Sequence, residues 1–168
     1  MQFLKTKEAD VFISDDCMEE EKSVPYVRLD NESVFNFLKY HPQIAEGLAL
    51  YSQLRGLKGL AVLDAHGGVD GKHWVYYDGN KRVRIQTWIN KCDGVYAALL
   101  TLSCNPGGLT PQSKKSMLII PDRNVAVRDF GTGRGAQFTM IVPGIGEIDS
   151  YSVDYFLNKW REELEDLK

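Results

Sequence analysis

Apolar positions along this chain recur with two different periods. Val34, Phe37, Leu38 and His41 follow one another at helical spacing behind an N-cap at Asp30 or Asn31. Pro42 interrupts them. Ile44, Leu48, Tyr51 and Arg55 then continue a second helix, closed by Gly56 and Gly59. Ile85, Trp88, Ile89 and Cys92 form a short amphipathic stripe that ends at Asp93-Gly94. A last stripe starts near Ser152 and runs through Val153, Phe156, Leu157, Trp160, Leu164 and Leu167.

Between the stripes lie runs of strand length. Leu60–Ala65, Val95–Ser103 and Met117–Ile120 are continuously apolar, which suits strands covered on both faces. Asp10–Ser14 and Val24–Leu29 read as short strands, with Pro25 placing the latter at an edge. The stretch from Gly71 to Val83 predicts a hairpin, since Asp78-Gly79-Asn80 supplies a turn able to take positive φ. Val125–Arg128 and Gln137–Val142 are a further candidate pair around the turn G-T-G-R-G at 131–135. Helices alternating with buried strands predict an α/β fold, a three-layer αβα sandwich on a mainly parallel sheet. The length of 168 residues suits a single domain spanning 1–168.

Composition narrows the function classes. The chain is 43% hydrophobic and 26% charged, as expected of a soluble globular protein. A net charge of −3 provides no basic footprint for nucleic acid or an anionic membrane. The N-terminal residues lack the apolar segment of a signal peptide, and no stretch reaches the roughly 20 apolar residues of a membrane span. Cys17, Cys92 and Cys104 are an odd count without a C-x-x-C, so neither a disulfide framework nor a zinc site is indicated. The expectation is a cytoplasmic protein without metal or organic cofactor, its oligomeric state open. The acidic run D-D-C-M-E-E-E at 15–21 reads as a solvated loop.

Two strand ends carry candidate chemistry. L-A-V-L-D-A-H-G-G (60–68) ends in His66 and two glycines, and A-L-L-T-L-S-C-N-P-G-G (98–108) ends in Cys104. In open α/β sheets ligands bind outside the carboxyl ends of the strands, where both residues fall. A thiolate nucleophile needs a proton-shuttling partner and oxyanion donors. His66 and Cys104 fit those roles, and the N–H groups of Gly67 and Cys104 fit the donors. Taken singly, His66 is more often a turn residue and Cys104 more often a small buried hydrophobe. Asp64, on the side of the strand shared with His66, is a candidate to orient the histidine or meet a basic substrate residue, or else a plain strand-end polar residue.

The order of apolar strand, His66-Gly67, hairpin, amphipathic helix, apolar strand and Ser103-Cys104 resembles the core of the caspase-like cysteine peptidases. That clan includes caspases, metacaspases, legumain, gingipain and separase. The resemblance covers roughly Leu60 to Gly108. It implies a caspase-like fold in which Cys104 is the nucleophile, His66 the general acid for the leaving amine and the Gly67 N–H an oxyanion donor. The substrate it implies is a peptide or protein. The local sequence Leu102-Ser103-Cys104-Asn105-Pro106 departs from the caspase signature Q-A-C-[RQG]-G. The 38 positions from His66 to Cys104 are also fewer than that family's interval of about 50. Two other readings stay open: an inactive interaction module on the same scaffold, and a generic α/β domain binding a small phosphorylated ligand.

The remaining motifs read more plainly. His73 is an exposed hairpin position, and His41 a core histidine on a helix stripe. Trp74, Tyr76 and Tyr77 fit core and edge packing as well as a binding platform. The 131–135 glycine cluster lacks the Lys-Ser/Thr of a phosphate loop and opens no helix.

Overall fold

The computed structural model describes residues 2–5, 10–13, 38–63, 65–121, 138–149 and 151–168. In chain order the first elements are β1 (Gln2–Lys5), β2 (Asp10–Ile13), α1 (Pro42–Arg55), β3 (Leu60–Leu63), β4 (Gly67–Asp70), β5 (His73–Asp78) and β6 (Lys81–Arg84). They are followed by α2 (Ile85–Cys92), β7 (Ala98–Thr101), β8 (Met117–Pro121), β9 (Phe138–Val142), β10 (Gly146–Ile148) and α3 (Val153–Asp166).

The fold is mixed α/β. A seven-stranded sheet runs in the order β1-β2-β3-β7-β8-β9-β10. Its centre, β2-β3-β7-β8, is parallel, and both flanks are antiparallel. Strands β4, β5 and β6 form a separate antiparallel meander.

Strand alternation sends successive side chains to opposite faces. Leu60, Val62, Ala98, Leu100, Met117 and Ile119 join Leu48, Tyr51, Leu157 and Trp160 in a core beneath α1 and α3. Ala61, Leu63, Leu99, Leu118 and Ile120 join Trp74, Tyr76, Ile85, Trp88 and Ile89 in a second core beneath the meander and α2. The central strands are therefore buried on both faces, which is what their continuous apolar runs encode. Each fully buried Leu or Ile contributes about 1.5–3 kcal/mol of transfer free energy.

Helix α1 starts with Pro at its first position and stops at Gly56 in the left-handed region (φ 67°). Gly47 lets it approach β9, because a Cβ there would sit 3.1 Å from Met140 Sδ. Gln43 donates to Asp154 at 3.1 Å, and Arg161 pairs with Glu46, tying α1 to α3.

The α2 stripe matches expectation, since Ile85, Trp88, Ile89 and Cys92 are all buried. Other expectations shift. Gly67-Gly68 is no terminal turn: Gly67–Asp70 is a strand paired with β5. The run Val95–Ser103 narrows to Ala98–Thr101, with Val95 exposed in the preceding turn. Cys92 is disulfide-bonded, a pairing that the odd cysteine count gave no reason to expect. His41 precedes α1 and meets Phe138 edge-on, with ring centroids 5.3 Å apart. The candidate strands Val24–Leu29 and Val125–Arg128, most of the first helix and the 131–135 cluster lie outside the described residues. Among the described residues, no helix is long and apolar enough to cross a membrane.

Candidate active site

Parallel pairing of β3 with β7 sets the site. The register joins Leu60 to Ala98 and Leu63 to Thr101, and the Leu102 N–H continues it by donating to the Leu63 carbonyl at 2.8 Å. Past these strand ends, His66-Gly67 leads into β4 and Ser103-Cys104 follows β7. Between these strands the chain builds the meander and α2, which fold back over the end of β7.

Packing brings Gly67, the residue after His66, against Cys104. A Cβ built on Gly67 would lie 2.2 Å from the Cys104 carbonyl oxygen, 2.8 Å from the Cys104 nitrogen and 2.9 Å from Ser103 Cβ. Only glycine admits so close an approach of two backbones. The Trp74 indole N–H donates to the Cys104 carbonyl at 2.8 Å, clamping the residue from the meander side. Cys104 is a free, half-buried cysteine, while His66 is exposed. No hydrogen bond joins the His66 imidazole to the Cys104 thiol. Asp64 lies outside the described residues.

The meander's register sets which way the Gly67 N–H points. The Tyr77 N–H donates to the His66 carbonyl at 2.9 Å, and residues 66 and 77 are opposite in the β4–β5 register. Antiparallel ladders alternate between bonded and non-bonded pairs. Gly68 and Asp70 therefore bond to β5, while Gly67 and Val69 turn their N–H and C=O groups to the outer edge. The Gly67 N–H is thus not consumed by the sheet.

The loop after Cys104 is held by its own side chains. Asn105 is buried; its amide donates to the Leu109 carbonyl at 2.8 Å and accepts from the Leu109 N–H at 3.1 Å. Gln86 of α2 donates to the Gln112 carbonyl (2.6 Å) and accepts from the Gln112 N–H (2.9 Å). A groove of about 330 Å³ opens between this loop and the meander, lined by Lys72, His73, Trp74, Arg84, Leu109 and Thr110 among others. The roles of Trp74 and Asn105 escaped sequence reasoning. Asn-Pro-Gly after a strand signals a side-chain-stabilised turn, which would have found Asn105; nothing local marks Trp74.

The described residues contain no group of three or more His, Cys, Asp or Glu side chains placed to hold a metal ion. No protein-family model, curated protein or solved structure matches the chain.

Proposed function

We propose that this protein is a caspase-like cysteine hydrolase acting on peptides, with Cys104 as nucleophile and His66 as its proton-transfer partner. The observation that supports the reading is the seat of Gly67, the residue after His66, against the Cys104 backbone beyond the parallel β3–β7 pair. In the first step the Cys104 thiolate attacks the scissile carbonyl carbon, forming a C–S bond. Charge gathers on the carbonyl oxygen, where the Gly67 N–H donates. Collapse breaks the C–N bond, and the imidazolium of His66 protonates the departing amine. Water then attacks the thioester as His66 takes its proton, releasing the acid and restoring the thiol.

Cysteine-directed labelling tests this. A chloromethyl ketone or acyloxymethyl ketone peptide library should alkylate Cys104, as located by peptide mass mapping. His66→Ala should slow the labelling by about 100-fold, within the usual contribution of acid–base catalysis. Failure of Cys104 to react faster than a free thiol such as glutathione, or an unchanged rate in His66→Ala, would sink the proposal.

The lack of an imidazole–thiol hydrogen bond favours a second reading, a peptide-binding module on the same frame. Peptide binding without turnover by the unmodified protein would decide for it. The sequence suits a cytoplasmic setting, whereas the Cys92 disulfide suits an oxidising compartment.

A further inference from the structure

We infer that the peptide enters as a fourth strand of the meander, antiparallel along the outer edge of β4, with Val69 as its backbone anchor. The inference rests on the hydrolase reading for its chemistry, but its geometry comes from the β4 register alone. Strand β4 is a terminal strand of the meander order β4-β5-β6. Its inner hydrogen bonds use Gly68 and Asp70, leaving Gly67 and Val69 with outward N–H and C=O groups, two residues apart.

Such an edge is a template for an extended chain. The Gly67 end of it abuts Cys104, and Val69 is 41% exposed. The post-Cys104 loop lies against the face of β4, since a Cβ on Gly107 would meet Val69 Cγ2 at 3.0 Å.

An antiparallel guest extends the pattern already present in the meander, and antiparallel pairs are slightly the more stable per residue. In that register one guest residue exchanges two bonds with Gly67: its carbonyl accepts from the Gly67 N–H and its own N–H donates to the Gly67 carbonyl. If that carbonyl is the scissile one, the oxyanion donor and the first rung of the ladder are the same group. Counting back two residues along the guest, its carbonyl accepts from Val69 and its N–H donates to Val69. The residue between them turns its backbone away from β4. Cleavage and strand addition are then a single geometry, with the thiol at the end of the added strand.

The experiment is a backbone N-methyl scan on a peptide chosen from an unbiased hexapeptide library, by cleavage with the native protein or by binding to Cys104→Ala. Methylation two residues before the scissile residue should weaken binding to Cys104→Ala about tenfold, the loss of one good hydrogen bond. Methylation at the residue between should change it less than twofold. Val69→Pro should reproduce the tenfold loss, because its N–H serves no ladder bond within the meander. Hydrogen exchange gives a check free of substitutions: the Gly67 and Val69 amides should exchange faster than those of Gly68 and Asp70, and peptide should slow them selectively.

A flat methyl scan on a peptide that is cleaved overturns strand addition and leaves the hydrolase standing. The alternating scan without cleavage overturns the hydrolase and leaves strand addition standing. Failure of every library peptide to bind or be cleaved overturns both. Protection of Val69 that rises with protein concentration in the absence of peptide would instead assign the edge to a second copy of this chain.

Discussion

The two ends of β7 are built on opposite principles. At its start, Asp93 accepts from the N–H groups of Lys114 (2.6 Å), Lys115 (2.9 Å) and Ser116 (2.9 Å), locking the approach to β8. Ser116 closes the knot by donating its hydroxyl to the Tyr96 carbonyl at 2.6 Å and accepting from the Gly94 N–H at 2.8 Å. At the far end, the Ser103 hydroxyl is fully buried without a partner, as is that of Thr101. The outward Gly67 N–H, the thiol and the imidazole are likewise uncommitted. Buried polar groups in folded proteins are overwhelmingly paired, so the two unpaired hydroxyls set this end apart from the Asp93 knot. One end spends its polar groups on the fold; the other leaves two buried hydroxyls unpaired.

The sharpest way to break that contrast is Gly67→Ala. The new methyl would collide with the Cys104 backbone at 2.2 Å and 2.8 Å, and backbone cannot swing aside as a side-chain tip can. We expect a destabilisation of about 1–3 kcal/mol, as in other overpacked sites, which calorimetry would register as a fall of several degrees in Tm. The displaced thiol should also lose about 100-fold in its reaction with a peptide ketone, the cost of roughly an ångström of misplacement. Unchanged stability and labelling would show that Gly67 and Cys104 do not pack as described.

Much of this end could be read from sequence, and the failures have physical causes. Leu60–Ala65 and Val95–Ser103 read as buried strands, and their centres, Leu60–Leu63 and Ala98–Thr101, are strands covered on both faces. That was enough to set His66 and Cys104 at neighbouring strand ends. Strand β4 stayed hidden because Gly67 and Gly68 have low strand propensity. Their glycines answer instead to the Cys104 backbone and to Tyr77, whose hydroxyl lies 2.5 Å from a Cβ built at 68, and such long-range proximity leaves no local pattern. The same holds for the Trp74 clamp, which exists only once the meander folds over β7. On α3 the stripe was right for Val153, Leu157 and Trp160, yet Leu167 extends past the core and is 72% exposed. The Asp93 knot was legible only as a helix stop at Asp93-Gly94; its partners are some twenty residues downstream.

Removing the charge from the committed end gives a smaller effect. Burial alone would raise the pKa of Asp93, but the N–H donors of Lys114, Ser116 and Lys115 outweigh it and hold the carboxyl below its ordinary 3.8. A depressed folded-state pKa gives stability that is fully present above about 4 and is lost as pH falls through the folded value. Asp93→Asn keeps one acceptor and loses the charge. We expect a loss of about 1–2 kcal/mol at neutral pH, discounted for the group's partial exposure. Urea titrations should show the gap between the two proteins closing below pH 4. A gap constant from pH 7 to pH 3 would mean that charge contributes nothing to the knot. Labelling of Cys104 should be unaffected, since the change lies at the opposite end of β7.

The smallest change tests whether the two ends communicate through the loop that joins them. Gln86 holds that loop at Gln112 through an exposed two-way amide pair, between the Asn105 turn and the Asp93 knot. Gln86→Ala removes both bonds while leaving the Gln112 backbone open to water. The cost in stability should therefore stay near 0.5–1 kcal/mol. Hydrogen exchange should quicken at the Gln112 amide and not at Leu109 or Ser116, whose amides are held by Asn105 and Asp93. If the loop is pinned independently at three places, Cys104 will be alkylated at an unchanged rate. A several-fold change in that rate would show instead that the loop transmits strain from α2 to the thiol, and that the open end of β7 depends on the closed one.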